Sequence, residues 1–411
     1  MPRHPFVASL ASVLAAALLL QPLKSSETDI VLGMSAAFTG ASGLLGSDLY
    51  RGAQAYFDEL NASGGVEGRR IKILAYDDGY TPARTVFKTI DLIERDHVPI
   101  LFGYVGTPTV TRVLPLLKRY EEHGPYLLFP FTGAEPQRQP PYKEFVFNLR
   151  ASYQQETAGL VDHLIDIGRR RVGIFYQVDA YGRSGWDGVR KALARHQLKL
   201  ASEATYRRGA TYSTSMTDQV QILREANVDA VIAVGAYAAC AAFVRDAVNA
   251  GWDVPIANLS FVGSESLLNL LVAETGRTHR DYTHGLINSQ VVPSYEDLSL
   301  PAVREYRTLM DKYRPVSPLS SSTVPASPYS FVSFEGFLDA KLLGEILRRT
   351  GGRTDRDNLR KAFQSVHRLD LGIESPVSFG EARTQGLDTV YYTRVESGHF
   401  RPVDTWERWA R

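Results

Sequence analysis

Apolar residues recur along this chain with two periods that take turns. Runs at 30–35 and 71–76 have strand spacing, and each leads through a turn into a stretch whose apolar residues lie three and four apart. Ala53, Tyr56, Phe57 and Leu60 mark one face of a helix over 48–61, with Ser47 able to cap it and Ser63-Gly64-Gly65 stopping it. Val86, Ile90 and Ile93 mark a second helix, begun by Thr81-Pro82. A third unit sets the apolar run 98–102 before the turn 103–109, and Leu114, Leu117 and Lys118 follow at helical spacing. A fourth strand, 126–129, runs into the turn Phe131-Thr132-Gly133-Ala134.

The alternation then starts again. Strands are expected over 145–149, 172–176, 201–206, 230–234 and 254–261, and helices over 154–167, 185–196, 216–226, 238–250 and 267–275. Two βαβ series predict an α/β fold of two doubly wound parallel sheets, each covered by helices on both faces. A further strand (283–292) and helix (301–313) precede 315–328, whose prolines and serines predict a disordered loop. Helices over 331–350 and 355–365 and a terminal hairpin of 390–394 with 399–403 complete the pattern.

Composition adds bounds to this picture. With 411 residues, 44% hydrophobic and 22% charged, the chain is of ordinary globular type and long enough for two domains. Lys plus Arg at 46 against Asp plus Glu at 45 leaves +1, which offers no footprint for nucleic acid or an anionic membrane. The single cysteine, Cys240, excludes an intramolecular disulfide and a cysteine metal cluster; among alanines it reads as a buried apolar side chain. Arg3 and His4 ahead of the apolar run 6–20 read as an export signal over 1–26, shorter than the roughly 20 residues of a membrane span. An uncleaved anchor is the alternative; no cysteine follows the run, so a lipid anchor is excluded.

Enzyme signatures are absent: the chain holds no HExxH, GxSxG or GxxxxGK[ST], and its nine histidines are scattered singly. No enzyme activity, cofactor or metal is expected. Gly40, Gly43 and Gly46 lack the GxG start of a dinucleotide turn, and Asp77-Asp78 before Gly79 reads as an Asx turn capping the next helix. The turn 103–109 is different. A strand, a glycine turn and a helix start leave backbone N–H groups open beside the hydroxyls of Thr107 and Thr109, where a carboxylate would be welcome. The plainer reading makes Thr107 a cap, with Pro108 at the first helical position.

Four stretches together carry a resemblance: 61–69 (NASGGVEGR), Asp77-Asp78, the turn 103–109, and Val262-Gly263-Ser264-Glu265. In these the chain resembles the periplasmic leucine/isoleucine/valine-binding proteins of ABC transporters, of the type I periplasmic binding fold. The resemblance implies two lobes joined by a three-strand hinge, lobe 1 being 27–150 with 291–389 and lobe 2 being 151–290 with 390–411. It implies a ligand clamped between them, with Thr107 holding its carboxylate, Thr132 and Gly133 in the matching second turn, Glu265 receiving an ammonium, and Tyr181 and Tyr237 closing over it. For each a structural role stands beside this: Tyr181 packing at a helix start, Tyr237 in the core, Glu265 capping a helix. Leu44-Leu45 and Ala134 depart from the family pattern, which leaves room for another small carboxylate, an amide or a more apolar ligand. The implied protein is a monomeric periplasmic solute-binding protein, not a lipoprotein, that serves an ABC permease. A ligand-sensing receptor component of the same fold is the alternative.

Overall fold

The computed structural model describes residues 29–317, 319 and 326–410. The expected export segment lies outside the described residues, as do 318 and 320–325 of the expected disordered loop. The first sheet contains β1 (Ile30–Ala36), β2 (Ile71–Asp77), β3 (Ile100–Phe102), β4 (Tyr126–Leu128) and β5 (Val146–Phe147) in the order β2-β1-β3-β4-β5. All its pairs are parallel. Its helices are α1 (Gly43–Ala62), α2 (Pro82–Ile90) and α3 (Thr107–Arg119).

The second series brings α4 (Tyr153–Asp166), β6 (Val172–Gln177), α5 (Ala180–Arg195), β7 (Ser202–Tyr206), α6 (Thr217–Glu225), β8 (Ala230–Val234), α7 (Tyr237–Asn249), β9 (Ile256–Asn258), α8 (Ser264–Thr278) and β10 (Leu286–Gln290). Then follow α9 (Pro301–Tyr313), α10 (Phe331–Arg349), α11 (Arg356–Gln364), β11 (Tyr391–Glu396) and β12 (His399–Pro402). The second sheet reads β12-β11-β10-β9-β8-β6-β7, with the terminal hairpin antiparallel on an otherwise parallel sheet.

Strand alternation decides which side chain enters which layer. Ile100 and Phe102 join the large core, while Leu101 between them joins a smaller one with Val110, Val113, Leu114 and Leu117 of α3. On the large-core side α1 packs against α10 with almost no space between backbones. A Cβ on Gly52 would stand 1.7 Å from the Ser333 carbonyl oxygen, and one on Gly336 2.2 Å from that of Leu49. Hence the helices after residue 300 sit beside the first sheet. The chain crosses between the sheets after β5, after β10 and before β11. The first and third crossings bond to each other: Gly386 and Leu387 donate N–H to the carbonyls of Asn148 and Leu149, at 2.8 and 2.9 Å.

Several elements differ from the sequence pattern. Helix α1 begins at Gly43 rather than 48, so Ser47 lies inside it and Ser42 holds the cap position. Helix α5 begins at Ala180 rather than 185, because the Asp179 carboxylate caps it through the Tyr181 N–H at 2.9 Å. Gly182 and Gly185 fit where a Cβ would strike Gln177 O at 1.8 Å and Val234 at 2.6 Å. Only Ile256–Asn258 of the expected strand 254–261 is a strand; Ser260–Val262 turns as a 3-10 helix into α8, which starts three residues before the expected 267. Asp77 and Asp78 do form Asx turns, on the N–H groups of Gly79 and Tyr80 at 3.0 and 2.8 Å, but Thr81 holds the cap position of α2, and their other bonds go to the end of β1 and to Thr85 within α2. Asp77 accepts the N–H groups of Phe38 and Thr39 at 2.9 and 3.2 Å, and Asp78 accepts Ser35 and Thr85 hydroxyls at 2.9 and 3.0 Å.

Candidate functional site

The carboxyl ends of parallel strands and the starts of the helices that follow them face one another between the two sheets. Thr107 is the first residue of α3. It does not cap the helix: Gly106, at φ 107°, holds that position, where a Cβ would stand 2.1 Å from the Tyr80 ring. The Thr107 hydroxyl is therefore free to face Thr132, with Oγ1 atoms 2.7 Å apart, and it donates to the Tyr153 hydroxyl at 3.4 Å.

The second turn is pinned to the first: Phe131 N–H reaches Tyr104 O at 2.8 Å and Gly106 N–H reaches Phe131 O at 3.2 Å. Buried Arg138 braces it from behind, donating to Ala134 O at 2.8 Å and Arg150 O at 3.1 Å. Gly133 lies against Tyr153, whose Cδ1 would be 2.6 Å from an added Cβ. Across from this group Tyr181, in the first turn of α5, is fully buried with its hydroxyl unpartnered. Its ring lies 5.2 Å from Tyr153 and 4.6 Å from Phe261. Burial raises the Tyr181 phenol well above its ordinary range, so its O–H is a donor throughout the neutral range.

Thr107, Thr132, Gly133 and Tyr181 thus meet through Tyr153. Tyr237 and Glu265 form a second group, joined to the first by the loop that carries Phe261. Tyr237 opens α7 and its hydroxyl lies beside the backbone of Leu44 at the start of α1. Leu45 packs under Gly263, 2.7 Å from the position of a Cβ there. Glu265, in the first turn of α8, accepts the N–H of Phe331 at 3.3 Å on Oε1, while Oε2 takes no hydrogen bond. Burial first, then the Asp48 carboxylate, push the Glu265 carboxyl up to about 8, against the donated N–H bonds.

Several residues here escaped the sequence reading. Phe261 reaches from its loop between Phe131 at 5.3 Å and Tyr80 at 6.0 Å. Arg150, 1% exposed at the first crossing, lies over the Phe131 ring at 4.7 Å, pairs with Glu156 at 3.5 Å and Glu335 at 3.4 Å, and bonds Ser260. Burial pushes Glu335 up to about 7 despite Arg150. The spacing Arg150, Tyr153, Glu156 just past a strand was the available signal. Among the described residues no three His, Cys, Asp or Glu are grouped to hold a metal ion, and no helix is long and apolar enough to cross a membrane.

Known proteins share this fold. A possible leucine/isoleucine/valine-binding protein from Rhodopirellula baltica superposes with a TM-score of 0.82 at 31% identity, covering 94% of this chain and 98% of that one. A substrate-binding periplasmic protein from Ralstonia solanacearum superposes with a TM-score of 0.78 at 28% identity, over 89% and 98% of the two chains. In sequence, an amino acid binding protein of Pseudomonas aeruginosa is 24% identical over 172 residues, 42% of this chain and 45% of that protein, so the match spans less than half the relative's length. The model of the periplasmic binding protein family matches residues 29–399, and the chain belongs to that family.

Proposed function

We propose that this chain is the exported solute-binding component of an ABC importer, a monomer that captures a small carboxylate-bearing, amino-acid-like solute between two lobes and presents it to a permease. One observation carries the reading. The buried hydroxyls of Thr107, Thr132 and Tyr153 converge at a helix start, and the unpartnered Tyr181 hydroxyl approaches from the other sheet. Such a group suits a carboxylate, which accepts several hydrogen bonds and is favoured by the open N–H groups of a helix end.

The family and the names of the relatives above support capture of small solutes, and the apolar run at 6–20 supports export to the periplasm. The lobes we assign are 27–150 with 291–389 and 151–290 with 390–411, in keeping with the three crossings. Three or four charge-assisted bonds at about 1.5–3 kcal/mol each, less the entropy of capture, place the dissociation constant on the order of micromolar. No bond is made or broken. The test is a thermal-shift screen of amino acids, amides, aliphatic acids and aromatic acids, followed by calorimetry on each hit. A carboxylate that raises the melting temperature and loses affinity in Thr107→Val is the expected result; hits confined to uncharged molecules would refute the reading.

A further inference from the structure

Arg138 is a buried cation without an ion-pair partner among the described residues. It is 9% exposed and ends the 3-10 turn Pro136–Arg138, behind the second turn. Its nitrogens bond neutral acceptors: Nε donates to Gln385 Oε1 at 2.7 Å, Nη1 to the Ala134 and Thr132 carbonyls at 2.8 and 3.4 Å, and Nη2 to the Arg150 carbonyl at 3.1 Å. Glu135 and Glu156 bear on it from further off, and Glu156 and Glu335 are engaged by Arg150. Burial pushes the guanidinium down to about 10, which leaves it charged at neutral pH. A guanidinium withdrawn from water without a counter-ion is costly, and an anion supplied from outside the chain would relieve it.

The bonds of Arg138 fix where that anion belongs. A trans peptide sets N–H opposite C=O. The Thr132–Gly133 peptide turns its oxygen to Arg138 and to the Gln137 amide at 3.2 Å, so its Gly133 N–H points away from the guanidinium. The Thr132 hydroxyl of the same turn meets Thr107 at the start of α3. The charge therefore backs the hydroxyls at the helix start, with the turn between them and little water to screen it. The same side chain bonds two crossing segments, the first at Arg150 and the third at Gln385. We propose that Arg138 is the positioning residue that sets the charge of the solute: its buried guanidinium, acting through the second turn, makes the cleft prefer an anionic head group to its neutral amide. It acts through the Thr132 and Ala134 peptides and makes no contact with the solute itself.

The proposal rests on the solute-binding reading, and the experiment tells their failures apart. Arg138→Lys keeps the charge and loses the fork, whereas Arg138→Gln keeps a donor and loses the charge. Both remove bonds that brace the turn and should melt below wild type, so the deciding readout is the ratio of affinities within a matched pair. The pairs are L-leucine with L-leucinamide and 4-methylpentanoate with 4-methylpentanamide, measured by calorimetry. Sodium acetate against sodium chloride at equal ionic strength, read as melting temperature, is a probe that needs no particular side chain.

In wild type the carboxylate of a pair should bind more tightly than its amide, and acetate should raise the melting temperature above that in chloride. In Arg138→Gln the preference should fall about tenfold or more, through the carboxylate alone, and the acetate rise should vanish, while Arg138→Lys keeps both. Equal weakening of carboxylate and amide in Arg138→Gln, or loss of the preference in Arg138→Lys as well, would make Arg138 a structural brace and overturn the proposal with the solute reading intact. A wild type that favours the amides, or answers neither to acetate nor to either carboxylate, overturns the proposal and the carboxylate reading together.

Discussion

Removing the Glu156 carboxylate should weaken the protein more than removing any surface ion pair. Glu156 lies on α4 and is fully buried. Its Oε2 accepts the Ser260 N–H at 2.8 Å and the Ser289 hydroxyl at 2.6 Å, its Oε1 accepts the Ser260 hydroxyl at 3.0 Å, and Arg150 stands 3.5 Å away. Glu156→Ala strands a backbone donor and leaves Arg150, 1% exposed, with Glu335 as its remaining acidic partner. Hydrogen bonds to a charged group at about 1.5–3 kcal/mol each set a ceiling well above what relaxation will allow. Breaking a buried pair from one side costs about 3–5 kcal/mol, and that is the expected loss. Glu156→Gln keeps one acceptor oxygen but turns an amide donor toward groups that are themselves donors, and should fall between wild type and Glu156→Ala.

Urea unfolding followed by tryptophan fluorescence measures both variants, provided the slope with denaturant stays constant. The control is Asp162→Ala, which removes the half-exposed partner of Arg195 and His196 at the surface and should cost at most about 1 kcal/mol. A Glu156→Ala loss no larger than that of Asp162→Ala would refute the reasoning.

Three further outcomes follow from the same geometry. Gly52→Ala places a methyl group on the Ser333 carbonyl, so α1 and α10 must separate; a loss of about 1–3 kcal/mol or more is expected, and an unchanged denaturation midpoint would contradict the close approach. Thr107→Val removes a hydroxyl but little volume. It should lower affinity for a carboxylate hit about tenfold or more while leaving stability within about 1 kcal/mol of wild type, and unchanged affinity by calorimetry would count against the hydroxyl group. Glu335 and the buried Asp339 beside it are both pushed up, chiefly by burial, so that the pair holds protons in the native state that the unfolded chain has released. The pair's contribution to stability is complete below the ordinary carboxylate range and is lost as pH rises above it, so Glu335→Gln should gain on wild type between about pH 5 and pH 7; a constant difference would show the pair already ionised.

Much of this protein is legible in its sequence. Helix α9 spans the expected residues, and most other elements fall within a few residues of their expected ends, because strand and helix periods and glycine turns are local properties of the chain. The turn 103–109 could be read as an open helix start from its own residues. Thr107, however, faces Thr132 only because β3 and β4 are neighbours in the sheet, which brings two turns 25 residues apart within 2.7 Å.

Glu265 is the sharper case. As a residue two positions after a glycine it reads as a cap or a ligand carboxylate; that it meets Phe331, 66 residues on, and lies near Asp48 was decided by how the lobes close. Arg150 likewise acquires Glu335 and Ser260 only through the packing of a crossing segment against both sheets. The order of elements and the places where a ligand could be received were determined by sequence alone, since periodicity and turn chemistry act over a few residues. Tertiary structure decided which buried groups share a proton or a charge, because those energies depend on distance and burial, which the order of residues does not contain.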